Sequence, residues 1–156
     1  MNIGTYIIVN HYDSFTDATV LDRSNPCAGC SLQTNWGSTD ELTVVTDNIF
    51  AIWWYPQFDH ADDANILMEK FIEVRNDCLD NLGMSDPPNP GQGFFYNIYI
   101  HHGENDPFPS GWGMGQGTDP FGLPYLTVGF QYGLPTIYHE AFHIFQYVAN
   151  SPGKEC

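Results

Sequence analysis

Hydrophobic and polar positions change period along this chain, and each change marks an element. Residues 42–55 are dense in β-branched and aromatic side chains, the composition of strands. The polar pair Asp47 and Asn48 interrupts them, so one long strand or two short ones meeting there is expected, ended by Pro56. From there the period lengthens. Ala64, Leu67, Phe71, Val74, Cys78 and Leu82 recur at intervals of three and four, which predicts a helix over about residues 60–82 with this stripe facing a core. Asp59 is placed to cap its start, and Gly83 fits the position after its last turn. Its other face, with Asp62, Asp63, Glu69, Lys70, Glu73, Arg75 and Asp77, reads as solvated surface, and His60 as exposed. Residues 3–9, 94–100 and 125–130 read as further strands. Between these elements lie an irregular region over 11–40, a Pro-rich loop at 87–91, and a Gly-, Pro- and Asp-rich loop over 103–124.

The last segment, about residues 135–149, is apolar nearly all round: Ile137, Tyr138, Ala141, Phe142, Ile144, Phe145, Tyr147 and Val148. Such a pattern predicts a buried helix, with Pro135 in its first turn and a stop at Asn150, Ser151, Pro152 and Gly153. Its one polar stripe is His139, Glu140, His143 and Gln146. Residues four apart sit one above the other on a helix, so His139 and His143 can point two imidazole nitrogens at one metal ion. Glu140 then stands where it can take a proton from a water on that metal. An unpaired buried carboxylate is costly, and a metal facing the stripe would satisfy all three groups. The bland alternative is a core helix whose two histidines and glutamate bond to each other or to backbone.

Composition narrows the partners. Only Arg23, Lys70, Arg75 and Lys154 oppose 19 acidic residues, a formal charge of −15 that disfavours nucleic acid and anionic membranes. It suits a saline or extracellular setting and cationic substrates, and equally suits solubility alone. The 156 residues form one domain by length, and 11 Phe, 9 Tyr and 4 Trp exclude a disordered chain. Cys27, Cys30, Cys78 and Cys156 are disulfide candidates, with one bridge conceivable from the 27–30 loop to the helix bearing Cys78. A redox role for Cys27 and Cys30 is a weaker possibility. No transmembrane run is present, and the start of the chain lacks the basic residue and long apolar run of a signal peptide. Asp13, Asp17 and Asp22 allow calcium, but their spacing matches no calcium loop, and a solvated loop is the better account.

On His139, Glu140, Ala141, Phe142 and His143, the chain resembles the zincins, a superfamily of zinc metallopeptidases carrying H-E-x-x-H on a helix. The residues around that motif, with Gln146 three positions past His143, look like bacterial secreted zincin-like proteins of poorly defined activity. Element order from about residue 42 to 150 agrees with the family at a coarse level. The resemblance implies an α+β fold: a twisted, mostly antiparallel sheet, a backing helix (about 60–82) and an active-site helix (about 135–149). It implies one zinc ion, a peptide or protein substrate, and a secreted or periplasmic location. It also implies that residues 125–130 are an edge strand lining the cleft, with Tyr125, Thr127 and Gly129 aligning substrate.

The chain departs from the family in its third ligand, since catalytic zinc takes three protein ligands plus water. Gln146 and Ala149 stand where one zincin group has Gly and His, and only Glu155 follows as a carboxylate, just past a Pro-Gly stop. Upstream candidates are His101, His102, Glu104, Asp106 and Asp119, of which His101 and His102 are preferred, although such residues on a loop also occur as plain polar surface. The expectation is therefore the N-terminal half of a larger zincin-like domain, its C-terminal subdomain missing. Apolar residues of the active-site helix would then be left uncovered and open to self-association. Two functions remain open: a zinc hydrolase with His139 and His143 as ligands and Glu140 as general base, or a non-catalytic zincin-like binding module or inactive fragment.

Overall fold

The computed structural model describes residues 26–34, 39–101, 114–119, 122–129 and 133–149. The 42–55 segment is two strands, β1 (Thr43–Asp47) and β2 (Phe50–Trp54), paired antiparallel. The turn between them uses Asn48 at φ +51°, its N–H donating to the Asp47 carboxylate at 2.7 Å. Asn tolerates that left-handed backbone better than most residues. Helix α1 (Ala61–Asp80) crosses over to β3 (Tyr96–His101), which therefore lies parallel to β2. A second hairpin follows, β4 (Met114–Thr118) and β5 (Pro124–Gly129), and then helix α2 (Gly133–Val148).

The strand order is β1-β2-β3-β5-β4, with β3 and β5 parallel. The fold is α+β, and its sheet is mixed: parallel at the centre and antiparallel at both edges, where a mostly antiparallel sheet was expected. The crossover through α1 and the placing of β4 outside β5 account for the difference. Two further expectations change with it. The 103–124 loop contains an edge strand, β4, and residues 124–129 are an interior strand rather than the edge.

Both helices pack on one face of the sheet. Phe50, Ile52, Ile98, Ile100, Leu126 and Val128 meet Leu67 and Phe71 of α1 and Ile137, Ala141, Ile144 and Phe145 of α2. Each such large apolar side chain contributes about 1.5–3 kcal/mol on burial. The alternate residues Ala51, Trp53 and Tyr99 form a second cluster on the opposite face. The central strands are buried on both sides, which is why residues 50–54 read as an unbroken apolar run. The 26–34 segment lies over the second face: Trp53 Nε1 donates to Asn97 Oδ1 at 2.8 Å, and Asn97 Nδ2 donates to the Gln33 carbonyl at 2.9 Å. Ser31 forms a parallel bridge with Phe94, so part of the 11–40 region is tied to the sheet.

Cys27 and Cys30 are joined to each other. Cys78 is a free, buried thiol in the helix-side cluster, so the bridge expected from it to the 27–30 loop is not formed: Cys27 and Cys30 take each other as partners. Burial pushes this thiol up to about 11. Cys156 lies outside the described residues, as do the strand expected over 3–9 and Asp13, Asp17 and Asp22.

Helix α1 corrects several readings of its polar face. His60, not Asp59, is the N-cap residue and makes no side-chain cap; it is buried, with Nδ1 2.8 Å from Asp63 Oδ2. Arg75 is 1 % exposed, not a surface residue. Its Nε and Nη2 donate to the two carboxylate oxygens of Asp86 at 2.7 and 2.9 Å, a bidentate pair under the loop that leads to β3. Leu82 falls beyond the helix and is exposed. Among the described residues no helix is long and apolar enough to cross a membrane.

Candidate metal centre on the second helix

The rotation of α2 about its own axis decides where its polar stripe points, and α1 sets that rotation. Ile137, Ala141, Ile144 and Phe145 are buried against the sheet and α1. Beside them the Tyr138 hydroxyl donates to Glu73 Oε2 at 2.9 Å, and Lys70 Nζ donates to the same oxygen at 3.0 Å. The Lys70 ammonium also lies 5.6 Å from the centre of the Tyr138 ring. The Tyr138 oxygen, then Glu73, hold the Lys70 ammonium up to about 12. Lys70, then the Tyr138 hydroxyl, hold the Glu73 carboxyl below its usual range. Lys70 and Glu73 thus join the two helices, where plain solvated surface was expected.

With Tyr138 turned toward α1, the next residues turn outward. His139 is exposed, and Glu140 and His143 are half-buried. The stripe faces the surface, so the expectation of a polar motif sealed inside an apolar interior is corrected. The apolar residues of α2 point the other way: Tyr138, Phe142 and Val148 are half-buried and the rest described are buried. Among the residues of α2 whose burial is described, no large apolar side chain is exposed; Leu134 and Tyr147 are not among them.

The two imidazoles converge. His139 Nε2 and His143 Nε2 are 2.8 Å apart, with ring centroids at 4.3 Å and planes at 86°. On its far side, His143 Nδ1 lies 2.8 Å from Gln146 Oε1. An amide oxygen only accepts, so Nδ1 carries the hydrogen and the Nε2 lone pair is left for the convergence point. Two nitrogens each about 2.0–2.1 Å from one zinc ion can lie no more than about 4 Å apart. At the tetrahedral angle zinc prefers, the two nitrogens would stand about 3.3 Å apart. The 2.8 Å separation is therefore a hydrogen-bond contact, and the rings must part by about half an ångström to share an ion. A single proton between the nitrogens is the metal-free equivalent.

Among the described residues no third His, Cys, Asp or Glu joins these two. His101 ends β3 in register with Gly129 of β5. Strand alternation puts it on the Asn97 and Tyr99 face, away from α2, so it is not the third ligand. Asp119 does not join the two imidazoles either: its carboxylate accepts the Leu123 N–H at 2.7 Å, and its backbone N–H donates to the Leu123 carbonyl at 2.8 Å, closing the turn between β4 and β5. His102, Glu104 and Asp106 lie outside the described residues.

Tyr125, Thr127 and Gly129 do not offer an open edge to substrate. The β5 backbone is laddered to β3 on one side and β4 on the other. These residues also share the sheet face opposite the helices, where the Tyr125 ring packs edge-on against Tyr99 at 6.0 Å and lies across Gly117. A side chain at Gly117 would overlap that ring, which explains this glycine in an edge strand.

The Gln146 contact was visible in outline, because residues three apart on a helix are neighbours. What the spacing does not show is that the amide oxygen meets Nδ1. No protein-family model, no curated protein and no solved structure matches the chain.

Proposed function

We propose that this chain is a zinc-dependent hydrolase of peptide bonds with a zincin-like site on α2. The observation that carries the reading is the 2.8 Å convergence of His139 Nε2 and His143 Nε2 on one exposed point of the helix. These two nitrogens would hold the ion; zinc of this kind takes a third protein ligand, and the candidates His102 and Glu104 lie outside the described residues. Bound there, zinc supplies a Lewis acid that polarises a carbonyl and brings the pKa of a water close to neutrality. Glu140, beside His139 and half-buried, takes the proton from the attacking water on its carboxylate. It then returns that proton to the leaving amine. Among the described strands β1 and β4 end the sheet, and β4, which neighbours β5, is the edge at which we place a substrate backbone as an added strand. The Cys27–Cys30 disulfide supports an oxidising, secreted or periplasmic setting. Calcium finds no support.

Metal analysis of protein purified without chelator is expected to give about one equivalent of zinc, lost in His139→Ala. Glu140→Gln is expected to keep the zinc and abolish cleavage of a mixed peptide library. Absence of zinc in the native protein defeats the proposal. One observation favours a second reading, a non-catalytic module on the same scaffold: no third ligand lies among the described residues. Zinc binding without cleavage, unaltered by Glu140→Gln, would establish that alternative.

A further inference from the structure

We infer that Gln146 is a positioning residue for the metal centre, holding His143 in the one tautomer that can bind an ion through Nε2. The inference rests on the zinc reading above and adds a residue to it.

Neutral imidazole carries its hydrogen on either nitrogen, and in water neither form is enforced. At His143 the choice is made by the helix. Gln146 sits three residues on, on the same face, and its Oε1 lies 2.8 Å from Nδ1. Because that oxygen has lone pairs and no hydrogen, the bond exists only while Nδ1 is protonated. The Nε2 of the same ring is then the acceptor, and it is the atom directed at His139 Nε2. The opposite tautomer would set the Nδ1 lone pair against the amide oxygen and put a hydrogen at the site an ion needs. The contact also fixes the plane of the ring, because Gln146 is itself half-buried on the helix. A ligating histidine whose other nitrogen is so held loses about 10–100-fold in metal affinity when the partner is removed.

The experiment uses the full chain stripped of metal, with zinc titrated against a chromophoric chelator. Gln146→Leu keeps the size of the side chain and removes the acceptor. It is expected to weaken zinc about 10–100-fold while leaving the far-ultraviolet dichroism unchanged. Gln146→Glu restores an acceptor for the same hydrogen and is expected to bind within a few-fold of wild type, about 3-fold or better. The second readout needs no metal: long-range proton–nitrogen spectra of the apoprotein should show His143 protonated at Nδ1 in the native chain, and a mixture of tautomers in Gln146→Leu. Equal zinc affinity in the native chain and Gln146→Leu, or a native His143 protonated at Nε2, overturns the inference. If no variant binds zinc but the tautomer shifts as stated, the zinc reading fails and the positioning by Gln146 stands.

Discussion

Cutting Arg75 back to alanine tests the most consequential contact that the chain's periodicity does not reveal. The guanidinium side chain is 2 % exposed and meets both oxygens of Asp86, whose side chain is 27 % exposed. Arg75→Ala leaves a half-covered carboxylate without its partner and a void beside α1. Breaking a buried pair from one side costs about 3–5 kcal/mol. Water can reach Asp86, so the lower end applies, about 3 kcal/mol, or a fall in Tm of about 6–12 °C for a domain of this size. Asp86→Ala should also destabilise, because the nearly sealed arginine, which does not lose its proton in proteins, then loses its bidentate carboxylate. Changing both, Arg75→Met with Asp86→Leu, should recover most of the loss, since neither charge is left alone. Urea denaturation followed by tryptophan fluorescence measures all three variants. Losses below about 1 kcal/mol in both single variants would refute the reasoning, because that is the value of an exposed pair. So would a double variant that costs the sum of the two.

Three other outcomes follow from the same packing. Because burial raises the Cys78 thiol to about 11, the folded state keeps a proton that the unfolded chain releases near its ordinary value of about 8.5. Its contribution is complete below that lower value and is lost as pH rises toward 11, so Cys78→Ala should flatten the alkaline fall in the urea midpoint; an identical fall in both proteins contradicts this. Reduction of the Cys27–Cys30 bridge should destabilise by only about 2 kcal/mol, because it closes so short a loop, and dithiothreitol should leave a cooperative transition. Tyr138→Phe should raise the Glu73 carboxyl pKa toward its usual range, as followed by carboxyl carbon shifts, since the lost hydroxyl is one of its two donors.

Local patterning accounts for the elements of this protein. The three-and-four spacing from Ala64 to Cys78 is α1, the apolar run split at Asp47 and Asn48 is a hairpin, and the His139 to Gln146 stripe is one face of α2. Spacing also places the two imidazoles side by side, because helical geometry is a property of neighbours in sequence. Partners far apart along the chain are a different matter. Arg75 with Asp86, Tyr138 with Glu73, and Trp53 with Asn97 read as surface or as unrelated residues until packing brings them within bonding reach. The same holds for the sheet order, which puts β4 rather than β5 at the edge and turns His101 away from α2. A strand's position is set by which faces bury against which, and no single segment carries that information. Residue type and period therefore determined the chemistry available on α2, while the α1–α2 contact decided that it faces outward, since rotation of a helix is fixed only by what it packs upon.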